Sequence, residues 1–355
     1  MTDAGPEQRE RDPEPYAGPP PTLAPSAVPR TPAPAQPEPS GEQPEAARPA
    51  PYLLAMRDPG WAWWRPLAGL AVIAFLLGIA LVLTRVADVL TGTGADLDPV
   101  PLTWQGLLVT DLFLAVALPA VLLAWPIAHG VGPGRGLSVA GRLRPPLVRR
   151  LLLIAFVTAG LGVALGVAGA VLLADRDAPG PVPELPWVLV VGLLTVPLRA
   201  AAEELLFRGY LAQAVAGWIG RPRAGAVVAA VVTSLLWAAA YGTDDLTGFL
   251  GRVALGLAAS AAVALTGGVE AAIALHVVVA VVVLLLGAVL GEDAVPGMVA
   301  GGPGEAFALV GALGLALFVA LAARRGARTR GGCAGPARSR VSCSRRRENG
   351  PWGMG

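Results

Sequence analysis

Lysine is absent from this chain of 355 residues: all 27 basic residues are arginine, a bias that fits a GC-rich genome, where alanine, glycine and proline are abundant too. Histidine and cysteine are nearly missing, at two residues each. The cysteines, Cys333 and Cys343, lie in the C-terminal tail with a spacing unlike a zinc knuckle and no histidine beside them, so they read as free thiols. Charge is scarce as well, at 15% of residues against 54% hydrophobic, and this excludes an ordinary soluble domain. The net charge of +2 is too small, and too unevenly spread, to suggest a nucleic-acid partner.

What the chain has in quantity is uninterrupted apolar sequence, and a bilayer core needs roughly 20 such residues per helix. Counting runs between charged or Pro/Gly breaks predicts eight spans, near Leu67–Thr84, Leu107–Ala128, Val148–Ala174, Trp187–Ala202 and onward, Ala224–Tyr241, Phe249–Leu265, Val269–Leu290 and Ala306–Ala323. The fourth has the composition to continue as one long tilted helix to about Ile219. The expected architecture is an all-α polytopic bundle over residues 59–323. A Pro- and Glu-rich tail too polar to fold precedes it over residues 1–58, and a basic tail follows over 324–355. The first apolar run begins beyond residue 60, so insertion by the first span, without a cleavable signal, is expected.

Loop charges alternate. Arg57 and Arg65 precede span one, Arg135 to Arg150 separate spans two and three, Arg221 and Arg223 precede span five, and Arg324 to Arg330 follow span eight. The intervening loops carry Asp88, Asp96, Asp98, Asp175, Asp177, Glu184, Asp244, Asp245, Glu292 and Asp293. By the positive-inside rule both termini are cytoplasmic. Trp61, Trp63, Trp64, Trp104 and Trp187 fall at span ends as interfacial anchors, and Gly162, Gly166 and Gly169 supply close helix packing.

Chemistry concentrates in Glu203-Glu204-Leu205-Leu206-Phe207-Arg208-Gly209-Tyr210, three ionisable side chains inside an apolar segment. Charge at that depth costs a few kcal/mol or more, so it is usually paired or functional. Glu204 and Arg208 stand at i and i+4 with the acid first, the favourable order for an ion pair. Glu203 is turned about 100° away, available to bind a metal or act as a base. A bland alternative is a buried salt-bridge cluster.

A second element, Thr266-Gly267-Gly268-Val269-Glu270, breaks the chain tightly before a helix that carries His276 two turns in. A lone helical histidine is often only a packed residue, but an intramembrane position favours function. His129, the other histidine, sits at the end of span two.

Taken in order, Glu-Glu-x-x-x-Arg-Gly-Tyr, the helix ending Trp237-Ala238-Ala239-Ala240-Tyr241, and the Thr-Gly-Gly turn leading to His276-Val277-Val278-Val279-Ala280 resemble the CPBP intramembrane proteases, the CAAX-protease and bacteriocin-processing (Abi) group. The resemblance runs over roughly residues 135–290 and includes the loop Leu137–Arg144. It implies a membrane-embedded metalloendopeptidase with Glu203 as the catalytic glutamate, Glu204 and Arg208 as its supporting pair, and His276 as the third-motif histidine. Zinc or another divalent metal would be held by Glu203 and His276. Two family positions depart: Tyr241 stands where the second-motif histidine belongs, and Ala280 where the third-motif asparagine does. Tyrosine, with a pKa near 10, is a poor zinc ligand unless ionised, and alanine offers no ligand.

Three functions follow as expectations. The first is an intramembrane metal-dependent endopeptidase, weakened or inactive through Tyr241 and Ala280, acting on a peptide or membrane-protein substrate. The second is a non-catalytic relative that keeps the cavity as a binding site or scaffold, a pseudoprotease. The third is a proton-coupled transporter, disfavoured because no repeat of hydropathy or pair of broken helices is visible. All three place the chain in a membrane, a bacterial plasma membrane by the family resemblance, in contact with lipids.

Overall fold

Among the described residues, seven helices are long and apolar enough to cross a bilayer: α1 (Arg65–Leu90), α2 (Trp104–His129), α3 (Pro145–Leu173), α4 (Leu185–Ile219), α5 (Pro222–Ala240), α6 (Leu246–Thr266) and α7 (Glu270–Leu290). They belong to a computed structural model that describes residues 52–57, 60–91, 102–242, 246–295 and 305–331. An eighth helix, α8 (Ala308–Gly331), takes the place of the eighth expected span. Its apolar part, Ala308–Arg324, is shorter than the other seven because Arg324 and Arg325 end the run. Among the described residues there is no strand, only one isolated bridge between Ser138 and Gly268. The molecule is an all-α membrane protein.

Each helix begins where its sequence permits. Pro145, Pro186 and Pro222 occupy first turns, where a missing N–H costs nothing. Thr103 caps α2 by accepting a hydrogen bond from the Gly106 N–H at 3.1 Å. The fourth span does run unbroken from Leu185 to Ile219, although Pro197 removes one donor midway. The outward faces are leucine, valine and phenylalanine, as at Phe75, Val82, Leu172 and Leu194. Such surfaces are stable against lipid, with the backbone bonded within each helix.

Packing follows the small residues. α4 lies against α2 and α7, and α8 against α3 and α6. A Cβ at Gly192 would meet Leu284 of α7 at 2.4 Å, and one at Gly166 would meet the Phe307 carbonyl at 2.8 Å. Gly162 and Gly169 are equally close to the α8 side of the bundle. These glycines are there for contact between helices.

The packed region starts ahead of the expected boundary at residue 59. Tyr52–Leu54 forms a short turn whose Tyr52 ring is buried, and the Tyr52 hydroxyl donates to the Gly136 carbonyl at 2.5 Å. Burial pushes that hydroxyl above its ordinary pKa, so it remains a donor. A reading from composition missed this because one aromatic anchor does not change the average of a proline-rich tail. The rest of that tail, up to residue 51, and the chain beyond residue 331, with Cys333 and Cys343, lie outside the described residues.

Of the tryptophans expected at span ends, Trp63, Trp64 and Trp187 are exposed, while Trp61 packs against Gly217. Arg57 stacks over Trp61, Arg65 donates to the His129 carbonyl, and Arg135 donates to the Ala55 carbonyl. Arg57 and Arg65, ahead of and at the start of α1, and Arg135, from the loop after α2, thus gather at one end of the bundle.

Candidate functional site

Glu203 and Glu204 stand at the end of the regular part of α4, directly before a wider π-turn over Leu205–Leu211 that carries Arg208 and Tyr210. Such turns frequently occur at functional sites, and two others stand elsewhere among the described residues, at Trp125–His129 and Phe156–Gly160. Here the turn keeps Glu204 and Arg208 on one side of the helix and sends Glu203 to another. All three are buried, at 5% exposure for Glu203 and 1% each for Glu204 and Arg208.

Glu204 Oε1 receives Arg208 Nη1 at 3.2 Å and His276 Nδ1 at 2.8 Å. Because the carboxylate accepts, the hydrogen of His276 is on Nδ1 in this arrangement. Arg208 also lies over the Trp237 ring, 5.1 Å from its centroid, and its guanidinium occupies the space a side chain at Gly256 would need. The ion pair read from i, i+4 spacing is present, with the histidine added to it.

Glu203 has different neighbours. Tyr241 donates its hydroxyl to Oε1 at 2.5 Å, Trp237 donates its indole N–H to Oε2 at 2.6 Å, and Arg199 Nε lies 3.5 Å from Oε1. Trp237 joins the two halves, since its ring meets His276 edge-on with centroids 5.1 Å apart. Tyr241 follows α5 directly, one turn beyond Trp237, so the second-motif tyrosine reaches the level of the glutamates as the resemblance requires.

Sequence reasoning missed the partner of Arg199. Asp111, fully buried in α2, accepts from Arg199 Nη1 at 2.8 Å and from Thr195 Oγ at 2.5 Å. A signal was available: Asp111 interrupts an apolar run, and Arg199 stands four residues before Glu203, both charged at membrane depth. Glu270 was passed over too. It is fully buried and holds Arg144 through two side-chain hydrogen bonds, at 2.8 and 2.9 Å, and a third from the Arg144 backbone N–H at 3.2 Å. With Val139 N–H on the Gly267 carbonyl and Val269 N–H on the Leu137 carbonyl, this pair fastens the Leu137–Arg144 loop to the Thr-Gly-Gly turn. Gly267 has a φ of +71°, the left-handed conformation that the turn needs and glycine allows.

A cavity of about 680 Å³ opens beside this cluster, bounded by apolar side chains such as Leu114, Phe207 and Leu284 and by Glu203, Trp237 and Tyr241. Ala280 lines it as well. Glu204 and His276 do not. His129 is elsewhere, its Nε2 3.0 Å from the Tyr210 hydroxyl in an aromatic cluster with Trp125.

With the geometry in place, comparison with known families gives one result. Residues 184–282 match the model of the Rce1-like family, type II CAAX prenyl endopeptidases. This segment is CAAX-protease-like. It spans α4, α5, α6 and part of α7, and so contains Glu203, Glu204, Arg208, Trp237, Tyr241 and His276. No curated protein and no solved structure matches the chain.

The metal that the resemblance implies is tested by the donors around each carboxylate. Glu203 is met by two hydrogen donors and a guanidinium, and Glu204 by a guanidinium and a histidine N–H. A divalent cation seeks unprotonated ligands, commonly three from the protein, and here it would face Arg199 or Arg208 at close range. The described residues contain no group of three or more His, Cys, Asp or Glu suited to a metal. Of the expected pair, Glu203 and His276, the imidazole bonds to Glu204, and Trp237 stands against both Glu203 and His276. These residues fit paired carboxylates and do not fit a zinc centre.

Proposed function

We propose that this CAAX-protease-like membrane protein holds a membrane-embedded polypeptide or lipid-modified peptide in the cavity beside Glu203 without hydrolysing it. One observation carries the reading. Each oxygen of Glu203 already accepts a hydrogen bond, from Tyr241 and from Trp237, and Arg199 stands behind them. The side chain toward which the cavity opens is thus an acceptor held within a fixed network. Ala280 presents a methyl group to the cavity where the family has an amide.

The site retains what binding needs. Its walls are apolar, which suits a hydrophobic segment, and its polar end offers Glu203, Tyr241 and Arg199 to orient a peptide backbone. The alternation of loop charge supports both termini in the cytoplasm, and the family resemblance a bacterial plasma membrane.

Binding is tested with purified protein in nanodiscs and two fluorescent peptides, an apolar one and a prenylated one. Saturable binding of either, lost on filling the cavity with Leu114→Trp, is the expected result. Failure of both peptides to bind would remove this reading. A peptide recovered in two pieces would favour a second reading, a metal-free endopeptidase. That reading rests on Glu203 and Tyr241 facing the same cavity. In it Glu203 would take a proton from the attacking water and return it to the departing amine as the C–N bond breaks, and the Tyr241 hydroxyl would donate to the carbonyl oxygen.

A further inference from the structure

A second cavity of about 290 Å³ lies among α3, α6, α7 and α8, walled by Gly166, Val167, Gly248, Gly251, Ala312 and Leu315. It shares two residues with the larger one, Arg252 and Val283. Arg252 is therefore a cation set where two apolar hollows meet. Its Nη2 donates to the Gly242 carbonyl at 3.1 Å, while its buried Nε has no hydrogen-bond partner among the described residues. A buried donor without an acceptor is costly, and an arginine at membrane depth is a candidate binding group.

Position narrows the partner. Arg252 is six residues into α6, about 9 Å from its first residue at 1.5 Å per residue, near one end of the bundle. That is where the headgroup region of a bilayer gives way to its hydrocarbon. An oxyanion there meets the guanidinium fork in its preferred geometry, and the adjoining slot of small and aliphatic residues has the character of a bed for a hydrocarbon chain.

We propose that Arg252 and the smaller cavity form a site for an anionic phospholipid, its phosphate on Arg252 and one acyl chain between α6 and α8. This site does not depend on whether Glu203 hydrolyses anything, although Arg252 and Val283 border the larger cavity too.

The test is lipid retention by the full chain, delipidated in detergent, offered phosphatidylglycerol or phosphatidylcholine of matched acyl chains and weighed by native mass spectrometry. Retention of phosphatidylglycerol is expected to exceed that of phosphatidylcholine by about tenfold, as one charge-assisted contact allows. Arg252→Gln should abolish the preference, Arg221→Gln on the exposed surface should leave it intact, and Ala254→Trp, which fills the slot, should lower retention of both lipids. Equal retention of the two lipids by the unaltered protein overturns the proposal, as does a preference that survives Arg252→Gln. The comparison on the unaltered protein decides the matter even if a variant fails to fold. Inorganic phosphate should not displace the lipid, and displacement by phosphate alone would show a simple anion site, contradicting the acyl-chain part.

Discussion

Tyr241 and Glu203 share a 2.5 Å hydrogen bond at the mouth of the intramembrane cavity, where the family resemblance places a histidine beside the catalytic glutamate. A phenol in that position supplies a hydrogen to the carboxylate and, while it keeps that hydrogen, is a poor ligand for zinc. The contact orders the cluster as a network of donors and acceptors.

That contact should weaken metal binding. The unaltered protein is expected to carry no stoichiometric divalent metal after purification, measured by inductively coupled plasma mass spectrometry. Tyr241→His combined with Ala280→Asn restores the family pattern and should raise metal content above that of the unaltered protein. A full complement of zinc in the unaltered protein would show that the donor arrangement around Glu203 has been misjudged.

The Glu204–Arg208 pair is buried on both sides, so removing one partner leaves an uncompensated charge. Arg208→Ala should cost about 3–5 kcal/mol in denaturation of the detergent-solubilised protein. Removing both charges, as Glu204→Leu with Arg208→Met, should cost less than either single change. If the double variant loses the sum of the two, the side chains are not acting as a pair.

Asp111 and Arg199 are predicted to be coupled across 88 residues of sequence. A double-mutant cycle with Asp111→Ala and Arg199→Ala should give an interaction of about 0.5–3 kcal/mol, the range for residues in direct contact. Additive losses would separate Asp111 from the Glu203 network.

Arg144 and Glu270 fasten the Leu137–Arg144 loop. Glu270→Gln weakens a bond between charged groups worth about 1.5–3 kcal/mol. Hydrogen exchange of the Val139 and Val269 amides should accelerate by a corresponding factor, while the α5 interior stays protected. Unchanged exchange at both amides would mean that the backbone bonds alone hold the loop.

Local spacing carried much of this to the sequence reader. The length of α4 followed from its apolar run to Ile219, and the Glu204–Arg208 pair from a separation of four on one helix. Pairings between distant helices were not legible. Asp111 shows only that a charge needs a partner, and Arg199 becomes that partner once α2 packs on α4. His276 was assigned to Glu203, but the π-turn after Glu204 and the Trp237 ring direct the imidazole to Glu204. Tyr52 was hidden in a proline-rich stretch, because a single anchored ring is invisible to composition.

The central claim, a CAAX-protease-like bundle whose Glu203 is held as an acceptor and not used for hydrolysis, is tested most directly by mass spectrometry of peptides. Membrane-embedded and prenylated peptides would be incubated with the purified protein and with its Glu203→Gln variant in lipid. The account predicts intact peptide and identical spectra from both; a cleavage product made by the unaltered protein and absent with Glu203→Gln would contradict it.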